Sequence, residues 1–235
     1  MRILFAHDHK FRKVDGKMYS IGGLSNDVLS RYVTLFGEVD VVSRCINEKE
    51  VENNYSLIQN PKIVFVEIKD KYTDIKDAVK KSDGVIARLP SFYGIISVKY
   101  AKLLNKPYMV EVVGCAWDSL WNHSIRGKLI ALPARLVTKK IVSMAPYALY
   151  VTKYFLQKRY PCKGITVGIS DVMLSNGQDN ILKKRFSKIQ DNIKKEIIIG
   201  TIGAVNVKYK GQQHVIKAIN LLKNMGIVNI KYQIV

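Results

Sequence analysis

The sequence predicts an α/β chain: a parallel sheet with flanking helices over residues 1–170, a linker over 171–196, and the first β-α-β of a second such domain over 197–235. Three observations predict it. Short apolar runs of strand length alternate with stretches whose apolar residues recur at helical spacing, the pattern of βαβ units. A glycine pair, Gly22-Gly23, separates the first such strand from the first such helix. Finally, a polar stretch ends near Glu196 and a fresh apolar strand, Ile197–Ile202, follows it.

In order, Arg2–His7 reads as the first strand and His7–Tyr19 as a polar, flexible loop. Gly22–Phe36 reads as an amphipathic helix carrying Leu24, Val28, Tyr32 and Leu35, with Gly37 as its stop. Glu38–Ser43 is the second strand, 47–60 is irregular, Lys62–Ile68 is the third strand and Asp74–Lys81 a short helix. Asp83–Ala87 is the fourth strand, ended by Arg88-Leu89-Pro90, and Ser91 N-caps a helix running to Leu104. Lys106–Val113 is the fifth strand, and Glu111 within it needs a partner if buried. Trp117–Lys140 carries Trp117, Leu120, Trp121, Ile125, Leu129, Leu132 and Leu136 at helical spacing among basic residues, with Pro133 as a kink. Its spacing fits either a core-covering helix with a solvated basic face, the favoured reading, or a helix resting on an acidic membrane surface.

Ala148–Thr152 and Gly164–Ile169 are further strands, separated by a short helix over Lys153–Arg159. The turn-rich residues 175–180 and a basic helical stretch, Lys183–Lys195, make up the linker. Beyond Ile197–Ile202 come a loop, Gly203–Lys210, a helix over Gly211–Met225, and the start of a strand at Lys231–Val235. The sequence stops on apolar residues in mid-strand, so a nearly complete first domain and the opening of a second are expected.

Composition narrows function. The chain has 235 residues, 48% of them hydrophobic, enough to bury a real core. Thirty-eight Lys and Arg against nineteen Asp and Glu give a formal net charge of +19, which favours anionic partners. No helix-turn-helix, zinc-finger, KH or RRM signature accompanies that charge, so no specific nucleic acid is expected. Cys45, Cys115 and Cys162 are odd in number and far apart, which offers neither a disulfide framework nor a CxxC metal motif. His7 and His9 share a strand face, but no HExxH or DxD pattern marks a metal site. No apolar run approaches the roughly 18 residues of a spanning helix, and no signal peptide opens the chain. Work in the cytoplasm, at most peripheral to the inner face of the membrane, is the expectation.

In parallel sheets of this kind ligands sit beyond the carboxyl ends of the strands, so the loops after His7, Arg88 and Val113 are where chemistry is expected. Gly22 and Gly23 can bring backbone N–H groups close to an anion at a helix start.

Three segments then carry a family resemblance: Ile21-Gly22-Gly23-Leu24, Tyr150 to Leu156 (YVTKYFL), and Ile202-Gly203-Ala204-Val205 with Lys208-Tyr209-Lys210-Gly211. In this order the chain resembles GT-B-fold glycosyltransferases built from two Rossmann-like domains. More narrowly it resembles the group 1 (family 4) retaining enzymes, including those that build capsular and lipopolysaccharide sugars. The resemblance implies transfer of a sugar from a nucleotide-sugar donor to a saccharide or lipid-linked acceptor. No cofactor and no metal are implied, the nucleotide-sugar being a substrate.

By the resemblance, Gly22, Gly23, Lys210 and Gly211 bind the donor diphosphate, and charge fixed there stabilises the leaving group. Arg88 and His123 are the acceptor-side candidates, and Asp118 is the candidate catalytic carboxylate. Asp118 could equally complement a helix dipole. The arginine that many members carry after the second-domain glycine is replaced here by Ala204, Val205 and Asn206. The family's second-domain carboxylate pair falls beyond Val235, so this chain alone is not expected to turn over. Two other readings stay open: an inactive binding module, and a basic protein that attracts nucleic acid through charge alone.

Overall fold

The computed structural model describes residues 1–172, 180–191, 196–203, 205 and 210–235. The described residues divide into two compact units, Met1–Asp171 and Val172–Val235. The expected turn at 175–179, the end of the basic stretch at 192–195, and Ala204 and 206–209 of the expected phosphate loop lie outside the described residues.

The first unit is organised on β1 (Arg2–Val14), which is central and unusually long. Its first half pairs in parallel with β3 (Glu38–Asn47) on one edge and with β6 (Gly84–Leu89) on the other. Beyond β3 lies β5 (Ile63–Phe65). Beyond β6 lie β7 (Tyr108–Val112), β8 (Tyr147–Tyr150) and β9 (Ile165–Gly168), all parallel. Period-two alternation sends the side chains of β1 to opposite faces. Ile3 and Phe5 pack with Leu29 of α1 (Asn26–Phe36) on one face. On the other, Leu4 and Ala6 pack with Ile75 and Val79 of α2 (Thr73–Lys81) and Ile96 of α3 (Phe92–Leu103). Strands covered on both faces are near-continuous apolar runs, and all six residues of β6, Arg88 among them, are buried.

The expected loop over His7–Tyr19 is instead the end of β1 joined to β2 (Lys17–Ser20) as a hairpin. Asp15 (φ 47°) and Gly16 (φ 76°) form a two-residue turn with positive φ at both positions, the geometry that matches strand twist. Phe11 and Val14 are buried and anchor the extension, while β4 (Ser56–Leu57) pairs with β2. Between Ala6 and Lys10 the register with β3 slips. His7, Asp8 and His9 bulge out of the ladder there, at the carboxyl end of the shared parallel core. Bulges of this kind re-aim side chains beside functional sites.

The expected stop at Gly37 and start at Ser91 are both found, while the first helix starts at Asn26 rather than Gly22. Ser25 caps α1 by accepting from the Val28 N–H, Gly37 ends it at φ 100°, and Ser91 caps α3 by accepting from the Gly94 N–H at 2.8 Å. The single helix expected over Trp117–Lys140 is two: α4 (Ala116–Trp121) and α5 (Ile125–Ser143), capped by Ser124. Pro133 lies inside α5. A short helix, α6 (Phe155–Arg159), precedes β9.

In the second unit, α7 (Ile181–Asp191) has no buried residue. β10 (Ile197–Thr201), α8 (Gln212–Asn224) and β11 (Ile230–Ile234) follow, with the two strands parallel. That is the expected β-α-β. The helix-flanked α/β sheet of the sequence reading is therefore what the chain forms, parallel except where β2 pairs with β1 and β4.

Candidate functional site

Four elements of the first unit converge at the carboxyl edge of its sheet. Arg88, next to last in β6, lies beside Glu111 of β7, the two being register partners. Arg88 Nη1 donates to Glu111 Oε2 at 3.2 Å, and Arg88 Nη2 donates to Asp171 Oδ2 at 2.7 Å. From α1, the Tyr32 hydroxyl donates to Glu111 Oε1 at 2.8 Å. The Arg88 and Glu111 side chains are 10% and 4% exposed, so these partners replace nearly all of their water. Burial raises the Glu111 carboxyl above its ordinary range, against the opposing pull of the Tyr32 hydroxyl and the Arg88 charge. Burial, followed by the Glu111 charge, raises the Tyr32 phenol as well.

His7, in the bulge, places Nδ1 3.2 Å from the Arg88 carbonyl oxygen. A carbonyl only accepts, so Nδ1 carries the proton and Nε2 of the neutral ring is left as an acceptor. Burial first, and the Arg88 charge second, push the ring down to about 4. His7 is thus a neutral base at pH 7. His9 is lowered too, chiefly by burial, and its Nε2 lies 3.1 Å from the buried Ser20 hydroxyl. Asp8 turns to α3, where its carboxylate accepts from the Phe92 and Tyr93 N–H groups at 2.7 and 3.0 Å. That helix start, the natural seat for an anion, is occupied by the chain's own carboxylate.

Of the residues given a catalytic or binding role from sequence, only Arg88 belongs to this cluster. Two of its nitrogens are engaged by carboxylates rather than open to a ligand. Asp118, on α4, is paired with Arg159 at 3.1 Å. His123 is exposed in the corner between α4 and α5, and no contact brings it to Arg88. Gly22 (φ 83°) requires glycine for its backbone, whereas Gly23 has no such need; both lie in the bend before Ser25. A side-chain carbon at either would meet no atom within 4 Å, so the backbone of this bend is open to close approach. In the second unit Gly211 (φ 83°) N-caps α8 without a side-chain cap. The stem of Lys210 lies against Gly203 at the end of β10, and Gln212 Nε2 donates to the Gly203 carbonyl at 3.3 Å. Strand end and helix start therefore meet there.

His7 was considered in the sequence only as a metal ligand, and Tyr32 only as an apolar helix position. The signal that could have found His7 is the polar run His7-Asp8-His9 at a strand's carboxyl end followed by the buried Phe11. No local signal ties Asp171 to Arg88, 83 residues away.

No family model matches the chain. It is similar to Protein CapJ of Staphylococcus aureus, with 39% identity over 249 residues. That alignment takes in all of this chain and 61% of CapJ, so the chain spans less than two thirds of this relative. Among solved structures it is similar to a ugt transferase from Siraitia grosvenorii in complex with UDP, at 13% identity and a TM-score of 0.45, over 86% of this chain and 58% of that one. It is also similar to S. aureus MnaA with UDP, at 10% identity and a TM-score of 0.43, over 99% of this chain and 62% of that one.

Proposed function

We propose that this chain is part of a retaining GT-B glycosyltransferase that moves a sugar from a nucleotide-sugar to a saccharide or lipid-linked acceptor in cell-surface polysaccharide synthesis. The observation that carries the reading is the buried His7–Arg88–Glu111–Tyr32 cluster at the carboxyl edge of a parallel sheet, where folds of this class bind ligands. On this reading the first unit serves the acceptor. The neutral His7 Nε2 is an acceptor for a hydroxyl proton, and Arg88 fixes His7 through its carbonyl while sharing its own charge between Glu111 and Asp171. Asp118, held by Arg159, and His123 enter as orienting groups around the acceptor. Within the first unit Gly22 and Gly23 offer open backbone to a donor phosphate, and within the second unit Lys210 and Gly211 supply a cation and a helix start to a donor phosphate. The enzyme works in the cytoplasm, against the inner face of the membrane.

The test is release of nucleoside diphosphate from a panel of nucleotide-sugars by the protein expressed from its whole reading frame, with oligosaccharide and polyprenyl-diphosphate saccharide acceptors. Acceptor-dependent release, with the anomeric configuration of the donor kept in the product by NMR, supports the reading. Absence of release with every donor, together with no binding of any nucleotide-sugar, overturns it.

A further inference from the structure

The helix α5 is built inside out relative to an ordinary surface helix. Its packed side consists of Gly127, Ala131, Thr138 and Val142, three of them small, and the helix packs on that side chiefly against α4, where Gly127 meets the Leu120 carbonyl. Its large apolar residues face away: Ile125 is 83% exposed, Leu129 78%, Leu132 51% and Leu136 56%. At 3.6 residues per turn those four fall on one line along the helix. Lys128, Arg135 and Lys139 run along one side of that line, and Arg126 and Lys140 along the other. The favoured sequence reading, a core-covering helix, is corrected here: the bulky stripe is outward because small residues occupy the packing positions.

The surrounding chain has one sign of charge. Between Asp118 and Asp171 there is no Asp or Glu, against nine Lys and Arg. Trp121, 40% exposed with Lys128 Nζ 5.5 Å from its ring centre, extends the stripe beyond the helix start.

We infer that the outer face of α5 docks on an anionic lipid surface, with Ile125, Leu129, Leu132 and Leu136 entering the headgroup–acyl boundary and the flanking cations on lipid phosphates. A bulky apolar line edged on both sides by cations is the arrangement of helices that lie in the plane of a bilayer interface. A second protein copy is a poorer occupant, because two such faces would bring like charges together. No helix among the described residues is long and apolar enough to cross a membrane, so the contact is peripheral. The inference rests on the proposed transferase reading only for its purpose, bringing the site to a lipid-linked acceptor.

The experiment is co-sedimentation of the chain with vesicles of phosphatidylcholine, with and without 30% phosphatidylglycerol (a fraction of about one anionic lipid in three, enough for a strong surface potential). Binding to the anionic vesicles only, lost at high salt, is expected. Leu129→Glu with Leu136→Glu weakens it at least roughly tenfold. Lys128→Gln, Lys139→Gln and Lys140→Gln together weaken it roughly a hundredfold, at about fivefold per charge. Lys183→Gln, Lys184→Gln and Lys188→Gln on the basic helix α7 leave it unchanged. All these positions point outward, and an unaltered urea midpoint confirms each fold. Binding untouched by the α5 variants, or abolished by the α7 variant alone, overturns the inference. So does a parent chain that ignores vesicles but is a dimer that Leu129→Glu with Leu136→Glu separates, which would make a second copy the occupant. Vesicle binding needs no nucleotide, so its presence in a protein that transfers no sugar would fell the transferase reading alone.

Discussion

Replacing Arg88 with Met keeps most of the stem and removes the charge, which makes it a clean probe of the buried cluster. Glu111 is then left in an apolar setting with only the Tyr32 hydroxyl as partner. Breaking a buried pair costs about 3–5 kcal/mol when the surviving ion cannot escape. Glu111 can escape by taking up a proton. From its ordinary value of 4.5, neutralisation at pH 7 costs about 3.4 kcal/mol, at about 1.36 kcal/mol per unit. That figure caps the loss, so Arg88→Met should destabilise the first unit by about 3 kcal/mol at pH 7. The sign with pH follows: the folded variant binds the extra proton, so its deficit shrinks on acidification, to about 1.4 kcal/mol at pH 5.5. Adding Glu111→Gln removes the stranded carboxylate and should recover part of the loss at pH 7 while erasing the pH dependence. Both tryptophans, Trp117 and Trp121, belong to the first unit and stack with ring centres 4.7 Å apart. Their fluorescence in urea therefore follows that unit's unfolding without the other's. A loss below about 1 kcal/mol at pH 7, or one equal at both pH values, would refute the buried-charge account.

Two further perturbations test neighbouring features. His7 sits at about 4 when folded against 6.5 when free, so the unfolded chain binds the extra proton between those values. Its contribution is full above pH 6.5 and is lost as pH falls toward 4, by at most about 3.4 kcal/mol. His7→Gln should flatten that part of the urea-midpoint profile, and a variant whose profile parallels the parent's would contradict a buried neutral ring. Gly127→Ala sets two effects against each other. Helix propensity favours Ala by about 1 kcal/mol, but the added carbon would come 2.2 Å from the Leu120 carbonyl oxygen. Backbone cannot swing aside as a side chain does, so a net loss of about 1–3 kcal/mol is expected; a stabilised variant in the same urea assay would show the α4–α5 corner to be looser than its geometry.

The sheet was legible because its strands are covered on both faces and so read as short apolar runs, as in Gly84–Leu89. Ser91 was legible as a cap from its place before an apolar run. The hairpin was missed because His7 to Lys13 is mostly polar, although Asp15-Gly16 is a strong turn signal. Periodicity found the stripe on α5 but not its direction. Polarity alone cannot tell an inward Leu from an outward one when Gly127 and Ala131 let the helix approach more closely on another side. For the site, the sequence required a partner for Glu111 without naming it. Arg88 and Tyr32 supply it from positions 23 and 79 residues away, a closure that only the register of β6 with β7 and the seating of α1 create.

The central place of β1 has a consequence for synthesis. Within this sheet β1 is synthesised before the strands that depend on it, and its partner across the β6 edge begins 81 residues later, at the pairing of Ile3 with Gly84. At about 5–20 residues per second, roughly 4–16 seconds pass with that edge of an apolar strand unclaimed. Parallel pairings over such separations are also slow to form. During this interval β3 and the Asp15-Gly16 hairpin are the structures that can shelter β1, since both lie within the first fifty residues. The nascent chain thus has a local way to hold its future centre while the rest of the sheet is still being made.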